Sequence, residues 1–161
     1  SVKNLTQNGN FWFVPNLLLQ KFPAPSFTAT TKLSFHPEHI GEKAGLAVMG
    51  EQWAYISFIT EGDGMKLGIF EGDYDQCEDL TKEIAKIPLN RDHCFLRVEV
   101  SDGECTFSYS LDNEKFQTIE DDYSFQSVKG RWIGAKVGVF SINPNIMESD
   151  GFAEFDWFRV E

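Results

Sequence analysis

Basic side chains are scarce in this chain of 161 residues. It has 14 lysines and arginines against 25 aspartates and glutamates, which leaves a formal net charge of -11. Such a surface repels phosphate backbones and anionic membranes, so we expect no nucleic-acid partner. Long apolar runs are also missing, and none approaches the roughly 20 residues of a membrane-spanning helix. We therefore expect no membrane partner either.

Cysteines are too few for a disulfide framework. There are three, an odd number. The strand register described below separates Cys94 from Cys105 by about 20 Å, at ~3.3 Å per residue. A disulfide joins Cα atoms at most ~7 Å apart, so these two cannot bridge each other. Pairing of Cys77 with either stays open on this geometry, but all three cysteines are expected to be thiols, because their number is odd. No CxxC or Cys/His cluster has the spacing of a zinc site.

The length of the chain suits one domain, residues 1–161, that needs no cross-link. Residues 1–15 show no clear strand pattern and are interpreted as an irregular lead-in. The chain opens SVKNLTQ, without an initiator methionine, a charged n-region or an apolar h-region. We expect a processed or excised piece.

Residues 96–111 predict a β-hairpin. Asp102-Gly103 suits a two-residue turn, because both central residues need positive φ. With Ser101 opposite Glu104, the apolar residues all fall on one face, since alternate residues of a strand share a face. The residues expected to be buried are Leu96, Val98, Val100, Phe107 and Tyr109. The other face is polar and carries Arg97, Glu99, Ser101, Glu104, Thr106, Ser108 and Ser110.

Period-two alternation recurs along the rest of the chain, with turn signals about every ten residues. It is clearest in FTATTKLSF, residues 27–35, and further strands are predicted at 44–49, 53–60, 65–72, 116–119, 135–141 and 151–160. The predicted fold is an all-β, two-sheet antiparallel jelly-roll sandwich. The segment DLTKEIAKIPL, residues 79–89, stays open between a helix and a strand, because its periodicity is weak.

No catalytic carboxylate pair is evident. The segment EFDWFR, residues 154–159, begins the Glu-x-Asp-x-x-Glu pattern of glucanases that share such a sandwich, but Arg159 replaces the second glutamate. A retaining glycosidase needs two carboxyl groups ~5 to 5.5 Å apart. We therefore expect no enzyme activity from this chain alone.

Asp156 lies among aromatic residues, and a partly buried carboxylate there needs a partner. A Lys or Arg partner, or structural hydrogen bonds, is the favoured interpretation. A structural calcium at Asp156 is the weaker alternative, and no other metal or cofactor is expected. The acidic run EGDYDQCED, residues 71–79, departs from the calcium-loop pattern at Cys77 and Glu78 and is interpreted as a solvated loop.

The four tryptophans are candidates for stacking on sugar rings. Trp53 and Trp157 lie inside predicted strands, which favours the core. Trp53 and Trp12 are kept as alternative sugar-stacking residues. Trp132 follows the sequence KGR at the mouth of a strand, and an aromatic residue on a loop is the better functional candidate.

Several motifs occur in one order along the chain: NLLLQKFPAPSFTATTKL (residues 16–33), GEKAGLAVMGEQWAYISF (41–58), FLRVEV with CTFSYSLDNEKF, and KGRWIGAKVGVFS with GFAEFDWFRV. Together they resemble the C-terminal β-sandwich of glycoside hydrolase family 43 β-xylosidases and α-L-arabinofuranosidases, over nearly the whole chain from about residue 16. The resemblance implies a concanavalin A-like fold and a strand at TKEIAKIPL. It also implies catalysis by an N-terminal five-bladed β-propeller, whose acidic residues have no counterpart in these 161 residues.

In two-domain members of that family, an aromatic residue from a sandwich loop closes the end of the xylose pocket. The matching position here is Trp132, where xylosidases commonly carry phenylalanine. The resemblance therefore implies a non-catalytic accessory domain that packs on the propeller and helps complete a pocket for xylose or arabinose of plant-cell-wall oligosaccharides. An independent carbohydrate-binding, lectin-like module is the alternative.

Overall fold

Strands dominate this computed structural model, which describes residues 3–4, 11, 14, 16–73, 81–127, 134–145 and 147–161. No helix in that part of the chain is long and apolar enough to cross a membrane. The described strands are β1 (Lys3–Asn4), β2 (Leu17–Lys21), β3 (Ser26–His36), β4 (Lys43–Met49), β5 (Gln52–Glu61), β6 (Gly64–Asp73), β7 (Lys82–Pro88), β8 (His93–Ser101), β9 (Glu104–Ser110), β10 (Phe125–Gln126), β11 (Lys136–Asn143) and β12 (Phe152–Val160).

The strands form two sheets, as the alternation predicts. One sheet has the order β1-β11-β4-β5-β6-β7, with β2 also paired to β11, and the other has the order β10-β9-β8-β3-β12. Strand β1 runs parallel to β11 for two residues, whereas the other described pairings are antiparallel. A single core lies between the inner faces and includes the fully buried Leu33, Leu46, Ile56 and Leu96. The all-β, two-sheet antiparallel fold is confirmed.

Loops gather at the two ends of the sandwich. What we call the cleft end carries the β4–β5 and β8–β9 turns, the last residues of β6 and the first residues of β7 and β11. The opposite end carries the β5–β6 turn, the connection from β3 to β4 and the last residues of β11. The two ends therefore present different sets of loops.

The β8–β9 hairpin has the predicted register. Ser101 pairs with Glu104, and Asp102 and Gly103 have φ angles of 49° and 89°, as a two-residue hairpin turn requires. All five side chains predicted for its core face are at most 8% exposed. Cys94 and Cys105 are free and buried, and burial raises the pKa of both thiols. Cys77 lies outside the described residues.

The segment that its periodicity leaves open between helix and strand forms β7, which pairs with β6. The strand that the family resemblance implies there is confirmed, whereas another local prediction needs correction. Residues 116–119 do not form the predicted strand, because only Gln117 pairs, in an isolated bridge to Tyr109. Within residues 1–15, Lys3–Asn4 forms β1, which pairs with the end of β11. A strand of two residues is too short to show period-two alternation in the sequence.

A β-bulge in β12 reverses the expected position of Trp157. The pairing of β12 with β3 shifts between Phe155 and Trp157, so Phe155 and Phe158 both pack against the core. Trp157 instead lies on the outer face, beside Phe95. The core interpretation of Trp157 was wrong because the bulge inserts Asp156 and breaks the period of two.

The seven-stranded sheet also buries apolar side chains on its outer face. Phe11, from the lead-in, is 2% exposed. Its ring centroid lies 6.0 Å from Trp53, 5.1 Å from Tyr55 and 5.0 Å from Phe140. A second apolar cluster therefore lies on this face, with Val14 also part of it.

Candidate functional site at one end of the sandwich

The inner face of β6 changes from apolar to acidic where the strand leaves the core. Ile69 is buried, whereas Glu71 and Asp73 follow on the same face by alternation and reach the cleft end. Gln52 lies opposite Asp73 at the start of β5, and Lys82 lies opposite Glu71 at the start of β7. Polar groups from three neighbouring strands therefore converge.

The facing wall belongs to the five-stranded sheet. It is lined by Ser124, Phe125 and Gln126, of which the last two form β10 on the edge of β9. The cleft has a volume of about 430 Å³, which falls within the ~300 to 1,000 Å³ of small-molecule sites. Phe125 belongs to the core between the two sheets, so the inner end of the cleft is closed by apolar side chains.

One hydrogen bond links the two sides of the cleft end. The Tyr123 hydroxyl donates to the Glu71 carboxylate at 3.0 Å, and burial together with the negative charge of Glu71 raises the pKa of Tyr123. The Lys82 ammonium lies 3.9 Å from the other Glu71 carboxylate oxygen. The Gln52 amide donates to Asp73 at 3.0 Å. Neighbouring groups therefore hold both carboxylates in place.

The cleft offers hydrogen-bonding groups rather than a catalytic constellation. Amide, hydroxyl, ammonium and carboxylate groups line it beside an aromatic ring, which suits a ligand with many hydroxyl groups. Its described lining contains no histidine or cysteine. Throughout the described ranges, no group of three or more His, Cys, Asp and Glu side chains is arranged to hold a metal ion.

Trp132 and Trp12, two of the candidates from the sequence, lie outside the described residues. The described residues that flank 128–133 lie at the cleft end. On one side, the Ser127 backbone N–H donates to the Gly103 carbonyl at 2.8 Å. On the other side, Ala135 leads into β11. The described residues on either side of this segment therefore belong to different sheets.

Trp53 is 2% exposed, and its indole packs closely on the backbone of β6. A Cβ atom at Gly72 would approach the Trp53 ring to 2.6 Å, so only glycine fits beneath it. Phe11 stacks on the same indole. This packing leaves little of the Trp53 ring open to a sugar.

Asp156 lies on the β12 bulge with its side chain 43% exposed. The Lys32 ammonium donates to its carboxylate. This contact gives Asp156 the basic partner that the sequence analysis favoured over a calcium ion. Glu154, two residues earlier, is exposed on the same strand.

The interpretation of residues 71–79 as a solvated loop hides the cleft, although the predicted strand 65–72 already includes Glu71. Asp73 also belongs to β6, whereas residues 74–79 lie outside the described part. The available signal was an alternation that continues from Leu67 and Ile69 into these acidic residues. Such a continuation marks an inner face that extends beyond the core.

The architecture is that of a concanavalin A-like sandwich with a polar cleft at one end. The chain belongs to the family of beta xylosidase C-terminal concanavalin A-like domains of GH43, whose model matches residues 4–161. This match confirms both the family resemblance and the concanavalin A-like fold. This domain is the C-terminal part of GH43 glycosidases.

An Escherichia coli (strain K12) protein named "Putative beta-xylosidase" is 26% identical over 162 residues, which cover 94% of this chain and 30% of that protein. The structure of the GH43 BlXynB protein from Bacillus licheniformis is 23% identical, with a TM-score of 0.79 over 98% of this chain and 31% of that one. A bifunctional GH43-CE protein of Bacteroides eggerthii has a TM-score of 0.82 at 19% identity, over 99% of this chain and 22% of that one. The chain therefore spans less than a third of these relatives.

Proposed function

We propose that this chain is a non-catalytic accessory domain of a family 43 glycoside hydrolase. In this proposal it packs on the catalytic β-propeller and helps complete a xylose or arabinose pocket through Trp132. The observation that carries the proposal is the family match over residues 4–161. The described residues that flank 128–133, Ser127 and the start of β11, lie at the end that also presents the polar cleft, which supports the proposal.

A non-catalytic role agrees with the chemistry of the cleft. Glu71 and Asp73 are neighbours on one strand and are engaged by Tyr123 and Gln52. A glycosidase instead places its two carboxyl groups on opposite sides of the scissile bond. Aryl xylosides and arabinosides should therefore survive incubation with the 161-residue chain. Turnover that disappears in Glu71→Gln or another single carboxylate variant would overturn this part of the proposal.

The role of Trp132 is testable in the protein joined to its catalytic domain. Trp132→Ala should lower kcat/KM for aryl xylosides. The decrease should correspond to about 1 to 3 kcal/mol of lost transition-state stabilisation, the scale of a lost aromatic contact, while Tm stays nearly unchanged. Phe152→Ala is the matched control, because Phe152 is 42% exposed and begins β12 at the opposite end. A large loss of Tm with unchanged kinetics would instead show that Trp132 only supports packing.

An independent carbohydrate-binding module is the second candidate. A functionally unknown protein from Saccharomyces cerevisiae shares the fold, with a TM-score of 0.70 at 14% identity, and the match covers 72% of that chain. The sandwich therefore also occurs as most of a protein. A true module should bind xylo-oligosaccharides alone with Kd in the micromolar to millimolar range, about -8 to -4 kcal/mol. Calorimetric titration separates the two candidates, because a pocket-completing domain should bind neutral sugars poorly without its catalytic domain.

A further inference from the structure

The outer face of the five-stranded sheet carries two rows of side chains across its strands. One row consists of Trp157, Lys32, Phe95 and Ser110, which are successive cross-strand partners on β12, β3, β8 and β9. The adjacent row consists of Arg159, Thr30, Arg97 and Ser108. Directly paired residues share a face. The sheet therefore places aromatic rings, hydroxyl groups and two guanidinium groups on one surface.

Both guanidinium groups rest on aromatic rings. The Arg159 guanidinium lies 4.5 Å from the centre of the Trp157 ring, and that of Arg97 lies 3.5 Å from the centre of the Phe116 ring. A guanidinium that stacks on an aromatic ring keeps its in-plane N–H donors available for hydrogen bonds. Arg97 donates one of them, Nε, to the Thr30 hydroxyl at 3.1 Å. This hydrogen bond and the contact with Phe116 orient the Arg97 guanidinium.

Neither guanidinium has a carboxylate partner among the described residues, although the chain has 25 acidic residues. Lys86, by contrast, pairs with both Glu61 and Glu83. Arg159 and Arg97 are separated by one strand, so their Cα atoms lie roughly 10 Å apart. Planar in-plane donors of this kind match a carboxylate in bidentate geometry.

A buried hydroxyl group lies in the row that contains Arg97. Ser108 is directly paired with Arg97 and is only 5% exposed, yet its hydroxyl oxygen has no hydrogen-bond partner in the described structure. A buried hydroxyl without a partner is costly. The Trp157 and Phe95 rings, 6.0 Å apart and tilted by 38°, add apolar faces beside these polar groups. Apolar ring faces next to hydroxyl and guanidinium donors suit a sugar that bears a charge.

We propose that this face, centred on Arg97, Arg159 and Trp157, binds a saccharide that carries a carboxylate, such as a xylan chain with a uronic acid branch. The guanidinium groups bind the carboxylate, and the rings contact the sugar. This site goes beyond the accessory function, because it lies on a sheet face away from the cleft and needs no catalytic domain.

The test compares three probes by calorimetric titration of the 161-residue chain. The probes are a xylo-oligosaccharide with a glucuronic acid branch, the unbranched xylo-oligosaccharide and an oligo-glutamate peptide. The acidic sugar should bind at least about tenfold more tightly than the neutral one. Its affinity should fall as salt rises, because salt screens the carboxylate–guanidinium attraction.

Variants then assign the site. Arg159→Gln and Arg97→Gln should each weaken binding of the acidic sugar by about tenfold or more, while Arg91→Gln, at an exposed arginine of the β7–β8 connection, should not. Arg97→Lys keeps the charge but loses the planar fork, so it should also weaken binding. Equal binding of both sugars, wild-type affinity in Arg159→Gln, or no binding at millimolar concentration would each overturn the proposal. Tighter binding of the peptide would overturn it in favour of an acidic protein partner.

Discussion

Phe11→Ala tests whether the lead-in is an integral part of the fold. Phe11 is 2% exposed and contacts Trp53, Tyr55 and Phe140 on the outer face of the seven-stranded sheet. Truncating a buried phenylalanine costs about 3 to 5 kcal/mol. For a domain of this size each kcal/mol lowers Tm by about 2 to 4 °C. The expected loss is therefore about 6 to 20 °C.

The assay is thermal unfolding followed by circular dichroism, with tryptophan fluorescence of the native state as a second reading. Loss of Phe11 should expose the indole of Trp53 to water and shift its emission to the red. Leu18→Ala is the control, because Leu18 is 78% exposed and should change the free energy of unfolding by less than about 0.5 kcal/mol. A Phe11→Ala protein that melts within 1 °C or so of the wild type, on a scale of several degrees per kcal/mol, would refute the reasoning.

Two further predictions concern turns. Gly103→Ala should destabilise the fold by about 1 kcal/mol or more in urea titration, because Gly103 has a φ of 89° and side chains are strained there. Gly62→Ala, where a Cβ atom meets nothing within 4 Å, should stay within about 0.5 kcal/mol, and equal losses in both would contradict the argument. Backbone N–H groups of Lys115 and Glu114 lower the pKa of Asp112 to about 2. Its stabilising contribution is thus complete above the ordinary carboxyl pKa and is lost as pH falls through about 2. The difference in Tm between wild type and Asp112→Asn should therefore be constant above about pH 5 and shrink between pH 4 and 2, and a difference that does not change with pH would rule this out.

Local chemistry made the hairpins and the core faces predictable from the sequence. Asp102-Gly103 defines one turn and so the register of every pair behind it, and alternation then assigns the buried face. The position of Trp157 could not be predicted in this way, because one bulged residue, Asp156, reverses the faces that follow. The cleft could not be predicted either. Glu71 lies opposite Ser124 to Gln126 only because the two sheets, whose strands are far apart in sequence, pack together.

The β8–β9 hairpin supports both proposed sites from different parts of one strand pair. Midway along it, Arg97 lies on the outer face beside Ser108. At its turn, Glu104 pairs with Gln126, and the Gly103 carbonyl accepts the Ser127 N–H, so the turn positions the cleft wall and Ser127, the last described residue before 128–133. A strained turn should therefore disturb the cleft end more than the guanidinium row. It follows that Gly103→Ala, in the protein joined to its catalytic domain, should affect the kinetics attributed to Trp132 while acidic sugars still bind the isolated chain.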